Sequence, residues 1–267
     1  MISGFVIMSE PEKYCYPYLE SIKSFLPLVD ELKVVYNILP DFQDGSLEKL
    51  KAVNDPKLEI ISGLFDYERF GWASQGMMRT NGYYACTGDV VLMFDCDGVL
   101  HEKDISSIRQ SLEQFGASDY LYGYWMKHRI FDPKILIRQC KHSGFYNKRL
   151  LGNGFNFYGK AANYAPNWEI LPKDKDRGQQ IDAYIWGYER LWDTREIFEE
   201  KLRKRRIMEM SARSVPSEED YIKDYFNEVE ERKNKITKAA SIEDHPLIIQ
   251  EKLKQITPSM FGWSNFK

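Results

Sequence analysis

The sequence predicts an α/β fold: a doubly wound mixed sheet flanked by helices, followed by a C-terminal helical extension. Three observations carry this. Val90 to Phe94 is an unbroken apolar run bounded by Thr-Gly-Asp and Asp-Gly, the pattern of a strand buried on both faces of a parallel sheet. Upstream, short apolar runs alternate with stretches of helical periodicity, the order of βαβ units. After Asp193 the composition shifts to long charged stretches of helical character.

Gly4 to Met8 is the expected first strand, and Ser9-Glu10-Pro11 is the loop at its carboxyl end. Tyr18, Ile22, Phe25, Leu26 and Val29 recur at helical spacing and predict an amphipathic helix closed near Pro27 to Asp30. Leu32 to Tyr36 is the second strand, followed by a polar loop containing Asp44-Gly45-Ser46 and a short helix through Leu47, Leu50 and Val53. Leu58 to Ile61 reads as the third strand, and residues 71–87 as a helix that lays Met77, Met78, Tyr83 and Tyr84 on the sheet. Beyond the central run, Asp104 to Phe115 is helical, and Tyr120 to His128 is an aromatic strand with rings on both faces. Gly152 to Gly159 continues in that style, and residues 172–182 read as a charged, mobile loop. Arg195 to Ser211 is a long helix holding the basic cluster Lys201, Arg203, Lys204, Arg205 and Arg206, read as a solvated face in preference to its alternative, a phosphate-binding patch. Leu247 to Leu253 forms a last apolar element. The expected division is a catalytic unit over 1–192, with a nucleotide half to 103 and an acceptor half over 104–192, then an extension over 193–267.

The 267 residues suffice for a sizeable core, and 43% hydrophobic with 29% charged residues describes a soluble globular chain. A net charge of −3 gives no global attraction to nucleic acid. Cys15, Cys86, Cys96 and Cys140 show neither a CxxC pair nor metal spacing, which favours free thiols and a cytoplasmic location. The apolar N-terminus lacks a basic lead-in and runs into charge within eight residues, so it reads as a strand and not as a signal peptide. No run approaches the ~18 apolar residues of a membrane span.

The chemistry gathers at Asp95-Cys96-Asp97-Gly98. Ligands of open α/β sheets bind beyond the carboxyl ends of strands, where Asp95 and Asp97 stand. Two carboxylates there ask for a counter-charge, since burying an unpaired charge costs several kcal/mol or forces neutralisation. Oxygen ligands of this kind suit Mg or Mn shared with phosphates.

These pieces together resemble the family 2 glycosyltransferases and their relatives on the GT-A fold. Val29-Asp30-Glu31-Leu32-Lys33-Val34-Val35 is similar to that family's second strand, and Asp44-Gly45-Ser46 to its Asp-Gly-Ser loop. Arg79, Asn81 and Ala85-Cys86-Thr87-Gly88-Asp89 resemble its approach to a strand ending in Asp-x-Asp. The resemblance implies a metal-dependent glycosyltransferase that moves a sugar from a UDP- or GDP-sugar to a hydroxyl acceptor. Asp95 and Asp97 would hold Mn or Mg on the diphosphate, and Ser9, Glu10, Asp44 and Arg79 would surround base and ribose. Residues 183–190 resemble a stretch whose histidine completes the metal site in some relatives, but Ile185 stands in that place, which leaves His245 as the candidate third ligand. An inverting transfer needs a carboxylate base. Glu189, read at a helix start, is the lead candidate, with Asp182 and Asp176 as alternatives. Tyr124, Trp125, Phe157 and Trp168 are candidate acceptor-binding rings, suited to a glycan and also to a modified nucleic-acid base.

Two rival readings share these residues. Leu92 to Leu100 also resembles the first motif of haloacid-dehalogenase-type phosphatases, with Asp95 as nucleophile. Such an enzyme needs a later strand ending in an acidic pair. Asp174 and Asp176 follow Leu-Pro-Lys without a strand, and Glu243-Asp244 precedes the last apolar element. A non-catalytic nucleotide-sugar-binding module is the third reading.

Overall fold

The computed structural model describes residues 1–118, 123–132, 134–148, 178–210, 214–235 and 241–261. In chain order the elements are β1 (Ile2–Met8), α1 (Tyr18–Phe25), β2 (Glu31–Asn37), α2 (Ser46–Lys51), β3 (Leu58–Gly63), α3 (Tyr67–Phe70), α4 (Trp72–Ala85), β4 (Val90–Phe94), β5 (Gly98–Leu100) and α5 (Ile105–Ala117). They continue with β6 (Gly123–Asp132), β7 (Lys134–Asn147), β8 (Gly178–Gly187), α6 (Arg195–Met210), α7 (Glu218–Lys235) and α8 (Leu247–Leu253).

The strands form one sheet in the order β3-β2-β1-β4-β7-β6-β8-β5. β3, β2, β1 and β4 are mutually parallel, whereas β7 is antiparallel to both β4 and β6. β8 runs parallel to β6, and the short β5 pairs antiparallel to β8. The sheet is therefore mixed, and its sense changes at β4, the strand that carries the two aspartates.

The core sits where the sequence pattern puts it. Val6, Ile22, Phe25, Val29, Val34, Leu92, Phe94, Ile108 and Phe115 are fully buried in one cluster between the sheet, α1 and α5. The Phe25 and Phe94 rings stack at 3.8 Å between centroids. On the opposite face, α4 approaches β1 and β2 through Gly82, where an added Cβ would lie 2.4 Å from Phe5 Cδ2.

Several expectations are corrected. Residues 178–182 are not a loop, because they start β8, whose Ile181, Ala183 and Ile185 are buried in the main core. Glu189 does not start a helix: it lies in the turn after β8, and α6 begins six residues later at Arg195. The aromatic strand is Gly123–Asp132, longer at its far end than the ring alternation suggested. Gly152 to Gly159 lies outside the described residues.

At the amino ends of the strands, Glu31 is held by the Ser3 hydroxyl at 2.5 Å, the Thr87 backbone N–H at 2.5 Å and hydroxyl at 2.9 Å, and Lys33 Nζ at 2.9 Å. Burial alone would raise its pKa, but these bonds outweigh it and lower it to about 2. A depressed carboxylate stabilises the fold above its unfolded pKa and loses that contribution as pH falls through the folded one. Urea unfolding should therefore show about 2 kcal/mol of stability disappearing between roughly pH 4.5 and 2. That limb is expected to be missing in Glu31→Gln; finding it unchanged there would refute the assignment.

Candidate functional site

Because β1–β4 are parallel, their carboxyl ends and the loops that follow them lie along one edge of the sheet. β4 delivers Asp95 at its last step, and the chain turns at once, because Gly98 N–H donates to the Asp95 carbonyl at 3.0 Å. The turn is fixed from the other side by Tyr188 N–H, which donates to the Asp97 carbonyl at 2.9 Å. Gly98 is needed at this point, since a Cβ there would lie 2.9 Å from Ile185 Cγ2. Arg79 comes from α4, is buried, and places Nη2 3.3 Å from Asp95 Oδ1. Burial, then the charges of Asp95 and Glu189, push the Asp97 carboxyl up to about 8.

This cluster fits a divalent cation. Its donors are all carboxylate oxygens, and the mutual repulsion of Asp97, Asp95 and Glu189 is what a cation would relieve. Among the described residues no group of three or more His, Cys, Asp or Glu side chains is arranged to hold a metal. The fit is thus to a site with two protein carboxylates whose other ligands come from phosphate and water, the usual habit of Mg.

His245 does not join it. The ring is buried with Trp186 and His101, and its Nδ1 is 2.8 Å from the Tyr188 hydroxyl. Burial lowers its pKa to about 4. Its place is in the apolar cluster that anchors α8 behind β5 and β8, so the tail histidine packs and does not bring a third ligand to Asp95 and Asp97.

The loop after β1 carries the next set. Glu10 is buried and adopts φ +55, a left-handed conformation that costs a non-glycine residue about 1–3 kcal/mol and persists only when its surroundings over-determine it. They do so here. Glu10 pairs with Lys13 Nζ at 3.0 Å and with Lys204 Nζ of α6 at 3.3 Å. Asp44 Oδ2 accepts from the backbone N–H groups of Glu12 and Lys13 at 2.7 and 3.0 Å, while its Oδ1 takes the Ser46 N–H at 3.1 Å and hydroxyl at 2.5 Å. Both Asp44 oxygens are thus engaged in tying the loop after β1 to the start of α2. Ser9 Oγ accepts from Asn37 Nδ2 at 3.1 Å, and the same buried amide holds the Phe65 backbone, joining the ends of β1, β2 and β3.

α6 packs on these loops, and the expected solvated basic face holds for Arg203 but not for Lys201 and Lys204. Lys201 Nζ donates to Asp193 Oδ1 at 2.8 Å and to the Glu189 carbonyl at 2.7 Å, and stands 4.1 Å from the Tyr16 ring centroid. Lys204 Nζ lies 4.6, 5.1 and 4.9 Å from the ring centroids of Tyr14, Phe65 and Tyr67. Burial lowers the Lys204 pKa, with Glu10 opposing. Arg203 and Arg206 point elsewhere, to Glu199, Glu218 and the Pro216 carbonyl. Asp193 is buried and pushed up to about 6 by that burial, with Lys201 opposing.

Of the two candidate bases within the described residues, Glu189 is the one whose charge reaches Asp97, while Asp182 is exposed on β8. The Tyr124 and Trp125 backbones sit on β6 next to a bulge, paired with β7 and β8. Phe157, Trp168 and Asp176 lie outside the described residues. Asn37, Tyr14, Tyr16 and Asp193 were not singled out as site residues, and Lys201 and Lys204 entered only as members of a basic cluster whose second reading was a phosphate-binding patch. Lys201 alone left a signal, because it falls within the helical stripe of Phe198, Leu202 and Met208, whereas Lys204 lies beside that stripe and carried none.

No family profile matches the chain, and no curated protein matches it. Among solved structures it is similar to residues 1–349 of S. aureus TarS in complex with UDP-GlcNAc, at 17% identity over 85% of this chain and 71% of that one, with a TM-score of 0.51. It is also similar to glucosyl-3-phosphoglycerate synthase from Mycobacterium tuberculosis in complex with Mn2+ and UDP-glucose, at 14% identity over 81% and 80% of the two chains, with a TM-score of 0.48. The likeness to the TarS structure shows the fold: the mixed α/β sheet is the GT-A arrangement.

Proposed function

We propose that this protein is a divalent-cation-dependent glycosyltransferase that moves a hexose or pentose from a nucleotide-sugar donor, UDP- or GDP-linked, to a hydroxyl acceptor. The observation that carries the reading is the Asp95–Asp97 pair at the carboxyl end of β4, where the sheet changes sense, with Arg79 behind one carboxylate and Glu189 near the other. The TarS neighbour was solved with UDP-GlcNAc, which supports the donor class.

In this reading Asp95 and Asp97 hold Mn or Mg. The ion supplies Lewis-acid stabilisation of the charge that develops on the departing diphosphate. Arg79 keeps Asp95 oriented, and the over-determined loop of residues 9–17 presents a preorganised wall to the nucleoside. Glu189 accepts the acceptor's hydroxyl proton if the anomeric centre inverts. The rings Tyr124, Trp125, Phe157 and Trp168 are proposed to stack on the acceptor, a glycan or a modified nucleic-acid base. Among the described residues no helix is long and apolar enough to cross a membrane. A cytoplasmic setting is part of the proposal, resting on the cysteine pattern.

A thermal-shift screen over UDP- and GDP-sugars with and without Mn tests the reading. At a hundredfold excess over Kd a true donor should add about 3 kcal/mol to stability. Melting curves unmoved by every nucleotide sugar, with Mn or with Mg, would sink it.

A further inference from the structure

The basic residues of α6 divide by direction, and the division is informative. Lys201 and Lys204 turn toward the loop after β1 with side chains only 9% and 14% exposed, whereas Arg203 is 45% exposed and pairs with Glu199 and Glu218. Three residues apart on a helix, their Cα atoms are separated by about 4.5 Å along the axis on one face. They meet the same loop in register, Lys201 over Tyr16 and Lys204 over Tyr14. Both charges also bear on Cys96, the residue between the two aspartates. The pair therefore runs along the strand ends from the wall made by Glu10, Phe65 and Tyr67 to the Asp95–Asp97 turn.

Packing alone does not account for two ammonium groups in this position. A buried lysine loses hydration that a carboxylate partner only partly restores, and an apolar side chain of similar volume is often as stable or more so. A lysine ammonium is, on the other hand, a compact charge suited to phosphate.

We infer that Lys201 and Lys204 are phosphate-binding residues of the donor subsite, held at rest by Asp193 and Glu10 and facing the cation site from the opposite wall. The inference rests on the donor reading above, and it assigns to Glu10 the placing of Lys204 in preference to direct contact with the nucleoside. A nucleoside diphosphate between the two walls would meet the cation on one side and the two ammonium groups on the other.

Calorimetric titration of UDP against uridine, in the presence of Mn, tests it, with GDP against guanosine if the wild type selects guanine. Two double variants avoid leaving a buried carboxylate without its lysine: Lys204→Met with Glu10→Gln, and Lys201→Met with Asp193→Asn. Each is expected to weaken diphosphate binding about tenfold or more while leaving nucleoside binding within about twofold. Folded double variants that bind the diphosphate as the wild type does, or that lose nucleoside and diphosphate equally, would overturn the inference while leaving the donor reading intact. A wild type that binds neither UDP nor GDP overturns the donor reading, and this inference with it. If either double variant fails to melt cooperatively, Lys204→Gln and Lys201→Gln decide by the same ratio of diphosphate to nucleoside affinity.

Discussion

Asp97→Asn is expected to weaken Mn-dependent binding of the nucleotide sugar about a hundredfold while leaving the fold as stable as before, or more so. The two effects have one cause. Burial and the neighbouring charges of Asp95 and Glu189 raise the Asp97 pKa, so the ionised carboxylate is unfavourable until a cation arrives. Asparagine keeps the shape and removes the repulsion, but it also removes a charged oxygen ligand, whose loss costs at least the ten- to hundredfold typical of weakened metal sites. The sign of the pH dependence follows. A carboxyl with a raised folded pKa binds more protons in the folded state than in the unfolded one between about pH 4 and 8, so its contribution makes stability fall as pH rises across that range. This slope is opposite to that of Glu31 and lies at higher pH. In metal-free wild type it should be measurable by urea unfolding, and it should vanish in Asp97→Asn. A variant that is both less stable and unimpaired in donor binding would remove Asp97 from the site.

Gly82→Ala is expected to cost about 3 kcal/mol, a drop in Tm of roughly 6–12 °C, although alanine is the better helix former by about 1 kcal/mol. The added methyl would meet Phe5 Cδ2 at 2.4 Å, Phe5 Cγ at 2.8 Å and Val35 Cγ2 at 3.0 Å. Phe5 and Val35 are fully buried on β1 and β2, so neither can swing into solvent. Relief requires α4 to move off the sheet, and α4 carries Arg79. Thermal melts would read the loss of stability, and donor titration of the folded fraction would read the displacement of Arg79. A variant as stable as wild type would show that α4 has room the structure denies.

The elements legible in the sequence were those whose burial leaves a periodic mark. Val90–Phe94 is buried on both faces and reads as an unbroken apolar run, and α1 has one face on the core and reads at 3.6-residue spacing. β7 was not readable, because Lys134 to Asn147 interleaves Arg138, Lys141 and His142 with Ile135 and Ile137, and no single face is apolar by composition. β5 is too short, at three residues, to carry a period at all. In the site, Asp95 and Asp97 were visible as an unlikely pair of charges at a strand end. Their company was not. Lys201 and Lys204 come from far along the chain, and charge composition alone could not tell which basic residues of α6 turn inward. His245 was named as a ligand only because Ile185 stands where the resemblance puts a histidine; a lone histidine is more often a surface or capping residue, and here Trp186, Tyr188 and His101 surround it.

The contact between Glu10 and Lys204 joins residues 194 apart in the chain. On a ribosome the parallel strands β1 to β4 and their helices emerge together and can pair locally, at modest loop-closure entropy. The loop after β1 stays without its α6 contacts until that helix has been made. During that interval Glu10 has Lys13 as its cationic partner and Tyr14 and Phe65 lack the Lys204 side chain that packs on them. The nascent chain can thus pair its parallel strands well before Lys204 arrives to complete the contact with Glu10.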